Sequence, residues 1–211
     1  MKLFILKQQY FDGGIMMFDN AVSYVHALLR THLRGGDIVV DATAGNGWDA
    51  AVMASCIGTG TLYCFDVQQT ALDVTAVRLP GLPVDARLVL AGHETMREHV
   101  DASHRGQVRA VTFNLGYLPG GDKEITTMAD TTRAALDAAL ALLADDGVLT
   151  VVCYRHQEGE RELDMCRAMF SSWEQSGVTC IETSFINQQG KPPVVFVAAK
   201  KPAAPMRLDQ R

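Results

Sequence analysis

The sequence has no CxxC pair among its five cysteines, and no cysteine–histidine cluster has the spacing of a zinc site. Several cysteines lie in apolar runs, which is typical of buried free thiols in a reducing compartment. No apolar run is long enough to cross a bilayer. Lys7 interrupts the apolar start of the chain too early for a signal peptide. We therefore expect a cytoplasmic protein that carries no metal site and does not bind a membrane.

The sequence also lacks an excess of basic residues. Its net charge of −5 at pH 7 argues against a protein that coats nucleic acid through bulk positive charge, although a local basic patch is compatible with it. Internal repeats and low-complexity segments are absent. The 211 residues fit one domain with short extensions. We expect that domain at 20–200, an N-terminal extension or flap at 1–19, and a polar tail at 201–211.

Strand-like apolar runs alternate with helical patterns along the chain, which predicts an α/β fold with a mostly parallel sheet. The last two strands are joined by residues 187–193, a linker too short for a helix, so this pair should be antiparallel. His26 and His32 fall on the first helix, where we expect surface or boundary positions. The strands are predicted near 38–41, 62–65, 87–90, 108–113, 148–153, 178–186 and 194–199, and the longer helices near 20–33, 48–56, 126–143 and 160–173.

A glycine-rich loop, residues 42–47, follows the first strand, which ends at Asp41. Gly45 and Gly47 allow the backbone to approach a ligand closely, and the helix that begins at Trp48 brings its N–H groups nearby. The loop also matches the GxGxxG/A pattern of dinucleotide-binding proteins, but a single match of that kind is weak evidence.

Acidic and imidazole side chains follow the next two strands. Asp66 lies about 20 positions after the glycine loop, where an acidic residue grips the two hydroxyls of a ribose. The alternative for Asp66 is an N-cap of the next helix. His93 follows the third strand and can stack on, or hydrogen-bond to, an adenine edge.

The fourth strand leads into the most distinctive stretch, Phe-Asn-Leu-Gly-Tyr-Leu-Pro-Gly-Gly-Asp-Lys at 113–123. Asn114 offers a side-chain carbonyl, Leu115 a backbone carbonyl and Tyr117 an aromatic face. Two acceptors and a stacking wall suit a planar base, or an amine whose lone pair must point at an electrophile. The alternative is a tight strand-to-helix turn with an Asn cap.

These features all follow strands, and Tyr154 and His156 follow the fifth. Because the carboxyl ends of parallel strands meet at one edge of a sheet, they should form one site. A dehydrogenase is disfavoured, since the chain leaves no room for a substrate domain and the Asn-Leu-Gly-Tyr stretch has no role in hydride transfer.

Taken together, the motifs resemble a bacterial family formerly described as rRNA methylases. Its members are now understood as class I methyltransferases that convert 5-aminomethyl-2-thiouridine at the tRNA wobble position to 5-methylaminomethyl-2-thiouridine. The resemblance covers about 20–200. It rests on Asp-Ala-Thr-Ala-Gly-Asn-Gly-Trp-Asp at 41–49, Phe-Asp-Val-Gln at 65–68, Gly92-His93, the 113–123 string, and Asn187 followed by Pro192-Pro193.

The resemblance implies a Rossmann-like, seven-stranded sheet with an antiparallel C-terminal strand pair, and S-adenosylmethionine as the cofactor. The implied cofactor residues are Asp41, Gly45, Asn46, Gly47, Asp49, Asp66, Gln68, His93 and Asn114. Asn114 would lie where cofactor and substrate meet, and the substrate amine would attack the cofactor's methyl group in line. Tyr117 or Tyr154 would stack on the wobble base, and His156 would take or relay a proton, with a helix cap as its alternative role.

The implied partner is the tRNA anticodon arm, and a homodimer is plausible by the same resemblance. Lys123 is the strongest single prediction for a phosphate contact. Further basic residues near the fifth strand or the C-terminus are Arg155, Arg161, Arg167, Lys191, Lys200, Lys201 and Arg207.

The segment 154–162 departs from the family pattern, which has Tyr-x-Gly-His, a Gly-Gly pair and a Glu. Other readings stay open: a methyltransferase acting on rRNA or on a small amine, a non-catalytic S-adenosylmethionine-binding module, or an NAD-binding oxidoreductase.

Overall fold

The computed structural model describes residues 18–79, 81–122 and 124–202. Several expectations fall outside these residues: most of the N-terminal extension or flap at 1–19, Lys123, and Arg207 in the tail. They stay predictions.

Seven strands form one mixed sheet in the spatial order β3-β2-β1-β4-β5-β7-β6. The first five strands pair in parallel, whereas β7 pairs antiparallel to both β5 and β6. The predicted fold class, with its antiparallel C-terminal strand pair, is therefore confirmed. The strands are β1 Ile38–Asp41, β2 Thr61–Asp66, β3 Asp85–Leu90, β4 Val108–Leu115, β5 Leu143–Cys153, β6 Val178–Ser184 and β7 Val194–Lys200.

Helices cover both faces of the sheet, because side chains of a strand alternate between its two faces. Val39 packs into the apolar cluster under α1–α3, while Val40 packs into the cluster under α4–α6. The helices are α1 Ala21–His32, α2 Trp48–Ile57, α3 Gln69–Arg78, α4 Met96–His99, α5 Ala129–Leu142 and α6 Gln157–Ser172, with short 3₁₀ turns at His93–Thr95 and Ala102–His104.

The boundaries around α5 differ from the prediction. The helix begins at Ala129 rather than near 126, and the residues before it line a cavity instead. Residues 145–147, which separate the predicted helix from the predicted strand, lie within β5, where Asp146 has a φ of 62°. β5 begins early because Leu143 already pairs with Val108 of β4.

Among the described helices, none combines the length and apolarity needed to span a membrane. In the same part of the chain, no three His, Cys, Asp or Glu side chains come together in a way that could hold a metal ion.

Candidate active site

A cavity of about 560 Å³ lies where the parallel strands end, and most of the predicted site residues line it. Asp41 and Gly47 are not among the lining residues, and Lys123 lies outside the described residues. The predicted residues that line the cavity are Gly45, Asn46, Asp49, Asp66, Gln68, His93, Asn114, Leu115, Tyr117, Tyr154 and His156.

Asp41 and Gly47 shape the glycine loop from behind. Gly47 precedes α2 with a φ of +73°, and a Cβ there would lie 2.8 Å from the backbone of Thr75. A larger residue at 47 would therefore clash as well as strain the backbone. Asp41 is fully buried, and its Oδ1 accepts a hydrogen bond from the Thr43 backbone N–H at 3.2 Å. In this geometry both residues support the loop.

Asp66 joins the glycine loop to the loop after β2. Its Oδ2 accepts from the Gly45 backbone N–H and its Oδ1 from the Gln68 backbone N–H, both at 2.9 Å. Gln68, not Asp66, occupies the N-cap position of α3. Each carboxylate oxygen keeps acceptor capacity for a further donor such as a ribose hydroxyl.

His93 forms another part of the cavity wall. The ring is buried and lies 5.5 Å from the Phe113 ring in an edge-on arrangement. Burial lowers the pKa of His93 below its ordinary value, so the imidazole is neutral at pH 7. A neutral ring suits contact with an uncharged base.

Asn114, the last residue but one of β4, is fixed by two hydrogen bonds. Its backbone N–H donates to Thr43 Oγ1 at 2.7 Å, and its Nδ2 donates to Asp49 Oδ2 at 2.6 Å. Its Oδ1 is buried in the cavity wall and accepts no hydrogen bond from the described residues. The amide orientation follows from Asp49, because a carboxylate needs a donor opposite it. Asn114 therefore keeps an unpaired acceptor within the wall of the cavity.

The other oxygen of Asp49 pairs with His26, which we expected at the surface or boundary. His26 Nε2 lies 2.7 Å from Asp49 Oδ1, and both side chains are buried. The expectation was wrong for His26 because it continues the apolar stripe of α1, at helical spacing from Val22 and Leu29. That spacing was the signal in the sequence that could have placed it inside.

Aromatic rings of Tyr117 and Tyr154 lie at the mouth of the cavity, and each residue is 38% exposed. Burial, and then the charge of Asp49, raises the pKa of Tyr154, so its phenol stays protonated at neutral pH. Both rings are placed to stack on a planar group that enters from solvent.

His156 caps α6, which was the alternative role considered for it. Its Nδ1 accepts from the Gly159 backbone N–H at 3.2 Å, so in the neutral ring the proton resides on Nε2. The ring centroid lies 5.6 Å from that of Tyr117. Gly116 beside it has a φ of +153°, and a Cβ there would lie 3.3 Å from Nε2. In this arrangement Nε2 carries the ring proton and is a hydrogen-bond donor within the cavity wall.

Glu162 was missed as part of the site. It is fully buried on α6 and accepts from Thr127 Oγ1 at 2.9 Å and from Thr132 Oγ1 at 2.8 Å. The Thr127 backbone N–H in turn donates to the Gly116 carbonyl at 3.1 Å. Glu162 thus anchors the loop between β4 and α5. Its helical spacing from the buried Cys166 was the signal for an inward position.

Two of the predicted phosphate contacts lie close to the first turn of α6, beside the cavity. Arg155 Nε lies 3.3 Å from Glu160 Oε1, and Lys191 Nζ lies 3.1 Å from the same oxygen. One carboxylate shared by two cations leaves a local positive charge.

Three other basic residues fit the prediction of phosphate contacts near the cavity less well. Lys200 Nζ donates to the Leu143 carbonyl at 2.6 Å, and Lys201 bonds to the Gln175 carbonyl, both at the end of the sheet opposite the cavity. Their position follows from the antiparallel direction of β7. Arg167 forms two hydrogen bonds to Glu182, at 2.9 and 2.8 Å.

The chain is similar to a described protein family and to a curated plant enzyme. The model of the family described as "Putative rRNA methylase" matches residues 62–199. The chain is 34% identical over 202 residues to the chloroplastic tRNA (mnm(5)s(2)U34)-methyltransferase of Arabidopsis thaliana, covering 90% of this chain and 73% of that protein.

Solved structures agree in fold. A protein of the same description as the family, from Clostridium thermocellum, superposes with a TM-score of 0.81 at 36% identity, covering 86% of this chain and 98% of the other. A "putative methyltransferase" from Streptococcus mutans, solved in complex with SAH, superposes with a TM-score of 0.76 at 30% identity. The match covers 85% of this chain and 97% of the other. An rRNA methylase from Streptococcus thermophilus superposes with a TM-score of 0.73 at 30% identity, covering 89% of this chain and 100% of the other. The chain therefore belongs to the family described as "Putative rRNA methylase" and is a methyltransferase with the Rossmann-like fold.

Proposed function

We propose that the protein methylates the amine of 5-aminomethyl-2-thiouridine at the wobble position of tRNA, with S-adenosylmethionine as the methyl donor. The observation that carries the proposal is Asn114, which lines the cavity and whose buried Oδ1 has no hydrogen-bond partner among the described residues. An acceptor held in this way suits the N–H of an amine. The Arabidopsis relative, named for the same uridine, supplies the substrate class.

The cavity residues fit the cofactor. Asp66 has lone pairs left for ribose hydroxyls, and neutral His93 lines the same wall for an adenine edge. The carboxylates of Asp49 and Asp66 complement a cationic ligand. When bound, S-adenosylmethionine supplies an electrophilic methyl group on a sulfonium.

The protein's residues influence the protonation state of the substrate amine and the direction of its lone pair. An alkylamine has an ordinary pKa of about 10, and only its neutral form has a lone pair for attack. A buried site lowers that pKa, and acceptors such as Asn114 Oδ1 and the Leu115 carbonyl turn the N–H bonds away from the methyl donor. Positioning of this kind supplies most of the acceleration. In the cap geometry, His156 donates from Nε2 to the substrate instead of removing a proton.

Recognition of the anticodon arm uses the rim of the cavity. Tyr117 and Tyr154 stack on the wobble base after it leaves the anticodon stack. Arg155 and Lys191 contact the flanking phosphates. The expected contact of Lys123, a homodimer and a cytoplasmic location stay predictions.

The experiment is nucleoside mass spectrometry of tRNA from cells with and without this gene. We expect loss of 5-methylaminomethyl-2-thiouridine and accumulation of its aminomethyl precursor. Purified protein with labelled cofactor should then methylate the precursor tRNA in vitro, and Asn114→Ala serves as the inactive control. Unchanged tRNA nucleosides together with a lost methyl mark in rRNA would overturn the tRNA assignment in favour of the rRNA one.

A further inference from the structure

Three side chains from distant parts of the chain form a continuous buried chain of hydrogen bonds next to the cavity. His26 on α1 contacts one oxygen of Asp49 on α2 at 2.7 Å, and the other oxygen contacts Asn114 Nδ2 on β4 at 2.6 Å. His26 and Asp49 are each 7% exposed. His26 does not line the cavity, so it can act on a bound molecule only through Asp49.

The carboxylate of Asp49 acts as a clamp, because each of its two oxygens contacts a different side chain, His26 or Asn114. With one N–H on each oxygen, the plane of its carboxylate is fixed, since rotation would break both bonds at once. Turning the Asn114 amide over would set its Oδ1 against Asp49 Oδ2, which is a repulsive contact. The clamp therefore fixes which end of the Asn114 amide contacts Asp49 and keeps Oδ1 as the unpaired acceptor.

Two other acidic groups that feel the charge of Asp49 favour their protonated forms. Asp41, the neighbouring buried carboxyl, has its pKa raised by burial and then by the charge of Asp49. Burial, and then the charge of Asp49, also raises the pKa of Tyr154, so its phenol stays protonated. Without His26, the Oδ1 of a buried Asp49 would lose its donor, and the carboxylate would turn to recover one.

We propose that His26 is a positioning residue for methyl transfer, which acts through Asp49 to hold the Asn114 carbonyl against the acceptor amine. The identity of that amine rests on the proposed function, whereas the positioning does not.

The kinetic test compares His26→Leu, His26→Gln and the matched control Val25→Ala, which removes buried volume from the same turn of α1 without touching Asp49. We expect His26→Leu to lower kcat on precursor tRNA by about 100-fold with little change in KM, the size expected for a misplaced reacting group. His26→Gln keeps an N–H donor near the place of Nε2 and should recover most of kcat. Val25→Ala should match the loss of thermal stability without the loss of kcat.

A double-mutant cycle tests whether His26 acts through Asn114. In an Asn114→Ala background, His26→Leu should cause no further loss of kcat. A full second loss of about 100-fold, or a His26→Leu variant with normal kcat, would show that His26 does not position Asn114.

A third readout needs no substrate. The side-chain amide signals of Asn114 in a ¹⁵N–¹H spectrum, assigned by their disappearance in Asn114→Ala, should move in His26→Leu, return in His26→Gln and stay in place in Val25→Ala. If they do not move in His26→Leu, the positioning is refuted. If they move but wild-type protein methylates no tRNA, the proposed substrate falls and the positioning stands.

Discussion

Asn114 lies where the glycine loop, α2 and the end of β4 meet, and its side chain has one free acceptor in a buried wall. Asn114→Ala removes that acceptor and leaves Asp49 Oδ2 without its donor. We expect kcat on precursor tRNA to fall by about 100-fold or more, because the amine is no longer directed. Single-turnover kinetics would measure this, with the melting temperature as the control for folding. Near-normal turnover in a folded Asn114→Ala variant would contradict the role of this residue.

At the residue scale, the buried carboxyl of Asp41 makes the stability of the folded protein depend on pH. Its pKa in the folded protein is raised by burial and by Asp49, above the ordinary value that it has in the unfolded chain. The folded state therefore binds the proton more tightly, and its stability falls as the pH rises from the unfolded pKa through the folded pKa.

Asp41→Asn removes that dependence. The variant's melting temperature relative to wild type should increase between pH 5 and pH 8.5, by about 2–4 °C for each kcal/mol that ionisation costs. Asp164→Asn, an exposed carboxyl that makes the same change in charge, is the matched control and should show a flat difference. A flat difference for Asp41→Asn as well would mean that Asp41 titrates normally.

At the scale of elements, α6 holds the loop before α5 through a single carboxylate, Glu162. Glu162→Ala leaves the buried Thr132 hydroxyl without its acceptor, at a cost of about 1–3 kcal/mol, and also removes the acceptor of the part-buried Thr127 hydroxyl. We expect lower thermal stability and a higher KM for tRNA, with a smaller change in cofactor affinity, because the loop lines the substrate side.

Asp164→Ala on the exposed side of the same helix is the control for that experiment. Calorimetry for the cofactor and initial rates for tRNA separate the two effects. An equal loss of affinity for both ligands would place the effect of Glu162 on the whole site instead of on the loop.

Local patterns determine which elements could be predicted from the sequence. The strands β1 and β2 are apolar runs that end in an aspartate, and the apolar run of β4 leads into Asn114, so all three were confirmed close to their predicted positions. The roles of the residues that follow these strands stay predictions. The start of α5 was not predictable, because residues 126–128 have an acceptable helical pattern but pair with the loop residues Gly116 and Tyr117 instead. Contacts made across the fold override local propensity there.

Contacts between residues that are far apart in the sequence could not be predicted either. His26 and Asp49 are separated by 23 positions and lie on different helices, and no spacing rule links them. The phosphate contacts show the same limit, since the distance between Lys200 and the cavity depends on the direction of β7.

At the scale of the whole molecule, basic residues at the two ends of the sheet should behave differently. Arg155→Ala should raise KM for tRNA and reduce the salt slope of binding by about one unit, as expected for one phosphate contact. Lys201→Ala, about 20 Å away along β7, should change neither quantity. Titrations of tRNA binding from 50 to 300 mM salt measure both, at roughly the ionic strengths where such slopes are linear. Equal slopes for the two variants would place the tRNA elsewhere on the surface.

The glycine loop and the loop that follows β4 touch across the cavity. Asn46 Nδ2 donates to the Pro119 carbonyl at 3.4 Å, and Leu118 Cδ1 lies 3.7 Å from the position of a Cβ at Gly45. A spent cofactor that left the cavity past this contact would require the two loops to separate. Because the loops are joined there by a long hydrogen bond, that opening would cost on the order of 1 kcal/mol. The loop proposed to contact the amine would then also delay release of the by-product, and mutations that strengthen the contact would slow turnover by prolonging product inhibition.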